Sequence, residues 1–119
     1  MIQEILNRYE SFSDSKIIKI HIDNCNDLNM NVEVYLRSMN ILNDYEFEIV
    51  KLIFINVKKI RLLENDTSTN LIVNSALLLK QKEFVILDFF PDIYSDRLEV
   101  NELSDFIIKC EKIIYEVIN

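Results

Sequence analysis

A chain of 119 residues that contains no glycine has few ways to reverse direction. Left-handed backbone is normally left to glycine, because a Cβ crowds the following carbonyl. Asn and Asp tolerate that region best among the other residues and hydrogen-bond their own turns. They cluster here at Asp23–Asn29, at Asn40–Asp44 and at Asn65–Asn70, cutting the chain into strand-length pieces. The lack of glycine also removes the phosphate-cradling loops of P-loop and dinucleotide-binding proteins in their usual form, and the GxSxG nucleophile elbow.

Between these turns the apolar period is mostly two. Ile2, Ile5, Leu6 and Tyr9 fall at helical spacing, so a short N-terminal helix is expected, ended by Ser11 to Ser15. Ile18, Ile20 and Ile22 then predict one strand face, and Val32, Val34 and Leu36 another. Tyr45 to Ile55 reads as a longer strand whose parity switches from Tyr45-Phe47-Ile49 to Val50-Leu52-Phe54, which predicts a β-bulge near Ile49. Val57–Leu63 and Leu71–Leu79 are weaker strand candidates, the second also compatible with a helix. Phe84–Phe90 is apolar on both faces and suits a covered central strand. Ser104–Ile118 fits either a helical stripe (Ile107, Cys110, Ile114, Val117) or a strand face (Phe106, Ile108, Cys110, Ile114, Ile118). Its β-branched residues favour the strand. The expectation is one mostly β (α+β) domain over residues 1–119, an antiparallel β-sandwich or partly rolled sheet with a short N-terminal helix.

Residues suited to catalysis are sparse. His21 is the lone histidine, whereas catalytic metal sites commonly need several His, or His with Cys. Cys25, four residues on, invites a Cys–His dyad, but it falls within the Asn/Asp-rich turn, and a partly exposed strand histidine is the preferred reading. Cys25 and Cys110 form no CxxC pair and read as buried thiols rather than a disulfide. Asp23, Asn24, Asn26 and Asp27 lack the Gly and closing Glu of a calcium loop and are read as turn residues. Asp88, in an apolar run before Pro91, is a candidate acid if burial raises its pKa. The preferred alternative is that it accepts backbone N–H bonds where the strand ends. These readings predict a protein that is not an enzyme and uses no cofactor or metal.

The charge is uneven. Residues 83–119 hold nine acids against Arg97, Lys109 and Lys112, a balance of −6, while residues 1–82 carry −1. Such a surface repels phosphate backbones and attracts a basic protein. Residues 1–8 have neither a basic start nor a long apolar stretch, and the longest uncharged run, Thr67 to Leu79, is too short and polar to span a bilayer. A cytoplasmic, membrane-independent protein is expected. The acids concentrate between residues 92 and 105, read as a surface connection. Asp92, Tyr94, Asp96, Glu99, Glu102 and Asp105 are the candidate partner-binding residues, with Tyr94 as anchor and the carboxylates meeting Lys or Arg.

Several segments share a pattern with a known family. They are Tyr9-Glu10-Ser11-Phe12-Ser13-Asp14-Ser15-Lys16-Ile17 (Ser13 standing where the pattern has His), Val50-Lys51-Leu52-Ile53-Phe54-Ile55-Asn56-Val57, Asp88-Phe89-Phe90-Pro91, and Ser104-Asp105-Phe106-Ile107-Ile108-Lys109-Cys110. Together the chain resembles immunity proteins of bacterial polymorphic-toxin or contact-dependent growth inhibition systems. The resemblance implies a cognate toxin domain as partner, often a basic nuclease, blocked at its active site or substrate path. The alternative from another class is a structural domain that self-associates, as a homodimer, through an exposed strand edge.

Overall fold

The computed structural model describes residues 1–26, 29–62 and 71–118, with side chains 24–26 set aside. Helix α1 (Ile2–Tyr9) is followed by β1 (Ser15–Asn26), β2 (Asn29–Asn40), a 3-10 turn (Ile41–Asn43) and β3 (Glu46–Leu62). Then come β4 (Leu71–Val73), β5 (Leu77–Gln81), β6 (Phe84–Asp88), β7 (Asp92–Tyr94), β8 (Arg97–Glu99) and β9 (Phe106–Val117). Among the described residues, seven strands form one antiparallel sheet in the order β4-β1-β2-β3-β9-β6-β5, and β7 and β8 form a separate ribbon. Among the described residues no helix is long and apolar enough to cross a membrane.

Connectivity forces the large sheet to curl into a half-barrel. Its two edges, β4 and β5, are separated by residues 74–76 alone. Three linking residues reach about 14 Å, whereas seven flat strands would put those edges about 29 Å apart. Helix α1 fills the concavity, touching β2, β5 and β9, and Ala76 N donates to Ser11 O at 2.6 Å. Ile5, Tyr9 and Phe12 thereby join Ile17, Val32, Val34, Leu36, Val50, Leu52, Phe54, Leu87, Phe106, Ile108 and Ile113 in the core. The core also takes in Cys110, whose free thiol is pushed up to about 11 by burial.

A part-buried polar contact fixes the helix. Tyr9 Oη donates to Glu48 Oε2 at 2.5 Å, Asn40 Nδ2 donates to Oε1 at 3.0 Å, and Arg8 Nε lies 3.5 Å from Oε2. Burial alone would push the Glu48 carboxyl up, but these hydrogen bonds and the Arg8 charge hold it below the usual carboxylate range. Burial and the neighbouring carboxylate push the Tyr9 phenol well above its ordinary value.

Glu48 also explains why no bulge occurs at Ile49. The β2–β3 register runs unbroken from Asn40↔Glu46 to Val32↔Phe54. Glu48 shares the inner face with Val50, Leu52 and Phe54, while Phe47 and Ile49 lie outside, Phe47 beneath the Arg37 guanidinium at 4.0 Å. The irregularity falls later, at Val57/Lys59, just after Asn56 takes left-handed backbone (φ 56°). Residues 57–62, expected as a separate weak strand, are the continuation of β3.

Three further expectations need correction. A register shift between Ile17 and Lys19 turns Ile18 outward, so Ile17, not Ile18, fills the core; Ile20 and Ile22 do share one face, opposite Val34 and Val32, although Ile22 is exposed. Within Ser104–Ile118, Phe106–Val117 does form a strand, but its alternation breaks at Glu111 and Lys112, both exposed, where the left-handed Asn56 stands across in β3, so Ile113 replaces Ile114 on the inner face. Leu71–Leu79 divides into β4 and β5. Left-handed backbone appears at Asp14, Asp44 and Asn56 as the composition suggests, but also at Glu10, Phe12, Tyr45, Lys82 and Ser95. Phe12, with its ring fully buried, is held there by packing against Tyr9 (ring centroids 5.4 Å apart). The Asn65–Asn70 turn lies outside the described residues.

Candidate protein-docking site

The connection from β6 to β9 is anchored at its base by a carboxylate. Asp88 is fully buried; its Oδ1 accepts from Phe90 N at 3.0 Å and its Oδ2 from Asn101 N at 2.8 Å. This is the backbone-accepting role preferred from the sequence. Phe89 stacks on Phe106 with ring centroids 4.5 Å apart, and Arg61 Nε donates to Ser104 O at 3.0 Å. The outgoing and returning chains are therefore tied to the sheet within a few residues of each other.

Between these ties the chain forms the β7–β8 ribbon. Asp92 pairs with Glu99, Ile93 with Leu98 and Tyr94 with Arg97, and Ser95 (φ 53°) helps make the two-residue reversal with Asp96. Alternation places Asp92, Tyr94, Arg97 and Glu99 on one face and Ile93 and Leu98 on the other. Beyond the ribbon, Asn101 Oδ1 accepts from Leu103 N and Asn101 O from Ser104 N, a turn that presents Glu102 and Leu103.

All six residues expected to bind a partner thus lie on one continuous projection. Tyr94, Asp96, Glu102 and Asp105 are exposed, while Asp92 and Glu99 are half-buried. Arg97 pairs with Glu99 at 2.8 Å. Asp92, Asp96, Glu102 and Asp105 make no ion pair among the described residues. Two further residues at this site stand out only in the folded surface: Ile93 is 70% exposed and Leu103 75%, the most exposed large apolar side chains described. Their signal was faint, since single apolar residues in a polar connection are ordinary.

His21 is exposed on the outer sheet face opposite Glu33. The Cys25 side chain, and those of Asn24, Asn26 and Asp27, lie outside the described ones, so the dyad and calcium-loop readings fall there too. Among the described residues no group of three or more His, Cys, Asp or Glu is placed to hold a metal ion. Comparison with protein-family models, curated proteins and solved structures finds no match to this chain. The fold and site define a curled antiparallel sheet that carries an acidic ribbon with exposed apolar side chains on and beside it.

Proposed function

We propose that this protein acts by binding a basic protein domain through the 92–105 projection, and that the partner is a toxin domain it neutralises. The observation that carries the first part is that one short projection exposes Tyr94 on one ribbon face, Ile93 on the other and Leu103 in the following turn, together with four carboxylates that have no ion-pair partner among the described residues. Apolar and aromatic anchors ringed by charge are the usual composition of a protein interface. The two ties at the base reduce the ordering needed on association. The toxin identity is supported by the sequence resemblance to immunity proteins. In that reading the carboxylates occupy a groove built for phosphate, and the chain inhibits without turning over a substrate.

Co-expression with the product of the neighbouring gene tests the proposal. A stable complex and relief of that product's toxicity are expected. A toxic neighbour that neither co-purifies nor is neutralised would refute the toxin assignment.

Self-association is the second reading, favoured by β5, which among the described residues pairs with β6 on one side only. Gel filtration over a range of concentrations separates the two, because only self-association moves the elution of the protein alone.

A further inference from the structure

On the outer face of the sheet, Lys59 of β3 and Lys109 of β9 are direct register partners. Lysines directly opposite one another repel. Neither makes an ion pair among the described residues, although the Lys109 ammonium lies over the Phe84 ring, 4.8 Å from its centroid; the carboxylate of Glu111 is taken by Lys58, at 3.5 Å. The strand irregularity at Val57/Lys59 stands immediately beside them, and such irregularities re-aim side chains next to binding sites.

The two lysines border a groove of about 90 Å³. Ile86, Ile107 and Val100 line it with apolar surface, Gln81 contributes an amide, and Glu102 stands on the wall formed by the 92–105 projection. Ile86 and Ile107 are almost fully buried beneath that wall. Pockets for cofactors or drug-sized ligands are typically about 300–1,000 Å³, so this one suits a small group. Two cations and an amide donor match an oxyanion, and the partly enclosed apolar lining strengthens that attraction relative to open water.

We propose that this groove binds a short-chain organic carboxylate, its head group between Lys59 and Lys109 and its alkyl tail on Ile86, Ile107 and Val100. The apolar lining favours such a ligand over inorganic phosphate, which has nothing to place there. Glu102 opposes any anion and sets the affinity from the rim.

Titration of ¹⁵N-labelled protein with butyrate, at ionic strength held constant with sodium chloride, tests the site. Saturable shifts are expected at the amides of Lys59, Ile86, Val100, Ile107 and Lys109, with an apparent Kd on the order of 1 mM. Lys59→Gln and Lys109→Gln should each weaken binding about tenfold, and Glu102→Gln should tighten it. Both lysines are outside the core, so the dispersed spectrum should survive, and either variant suffices if the other does not fold. A parallel titration with inorganic phosphate should show weaker binding. Shifts that grow linearly without saturation, a wild-type affinity in a folded lysine variant, or phosphate binding at least as tightly as butyrate would each overturn the assignment.

Discussion

Asp92 and Glu99 are register partners across the β7–β8 ribbon, two carboxylates set directly opposite one another. Such a pair destabilises a ribbon by about 0.2–1 kcal/mol, and the Arg97–Glu99 contact, being exposed, offsets little of it. Asp92→Asn should therefore raise stability by a few tenths of a kcal/mol. The same change should slow association with a basic partner. Denaturant melts and association kinetics on one sample report both signs.

Glu48 governs a different property, the acid sensitivity of the helix. Its carboxyl is held below the unfolded value of about 4.3, so its contribution is present above that pH and is lost as pH falls through the lower folded value. Helix docking should weaken on acidification in that range. Glu48→Gln should flatten that part of the pH–stability curve and lower stability at pH 7 by about 1–3 kcal/mol, the range for hydrogen bonds to a charged group that is partly out of water. Urea midpoints measured from pH 7 to pH 3 supply the comparison.

Asp88→Ala removes the acceptor from two backbone N–H groups, Phe90 and Asn101. A buried donor left without a partner costs about 1–3 kcal/mol. The loss should be concentrated at the base of the projection. Hydrogen exchange at those two amides should accelerate well before exchange in β2 or β3 changes; uniform acceleration would show that Asp88 supports the whole fold instead.

Lys82 takes left-handed backbone (φ 58°) in the two-residue turn between Gln81 and Phe84. That conformation costs a residue with a Cβ about 1–2 kcal/mol, against a glycine entropy term of about 0.5–1 kcal/mol. Lys82→Gly should be net stabilising by about 0.5 kcal/mol, read as a higher urea midpoint.

Much of this architecture is legible in the sequence, because half-buried strands write their faces as alternation. Val32, Val34 and Leu36 occupy the core as their spacing predicts, and β-branched residues correctly favour strand over helix in β9. Failures arise where a distant contact overrides the local pattern. An inward carboxylate at Glu48 is tolerated only because Tyr9, Asn40 and Arg8 meet it, and no local rule anticipates partners up to forty residues away. The outward turn of Ile18 and the exchange of Ile114 for Ile113 depend on strand irregularities, which shift parity without leaving a residue signature. At the candidate site, charge revealed the segment, and Tyr94 was visible as an anchor. Ile93 and Leu103 were not, since exposure is a property of the folded surface.

The docking role of the 92–105 projection is tested most directly by the salt dependence of association with the neighbouring gene's product. Wild-type protein is compared with a variant in which Asp92, Asp96, Glu99 and Glu102 are each changed to Lys. The wild-type rate should fall at least about tenfold between low and high salt, and the variant should associate slowly with little salt dependence. A variant that associates as fast as wild type, with the same salt slope, would place the partner on another face.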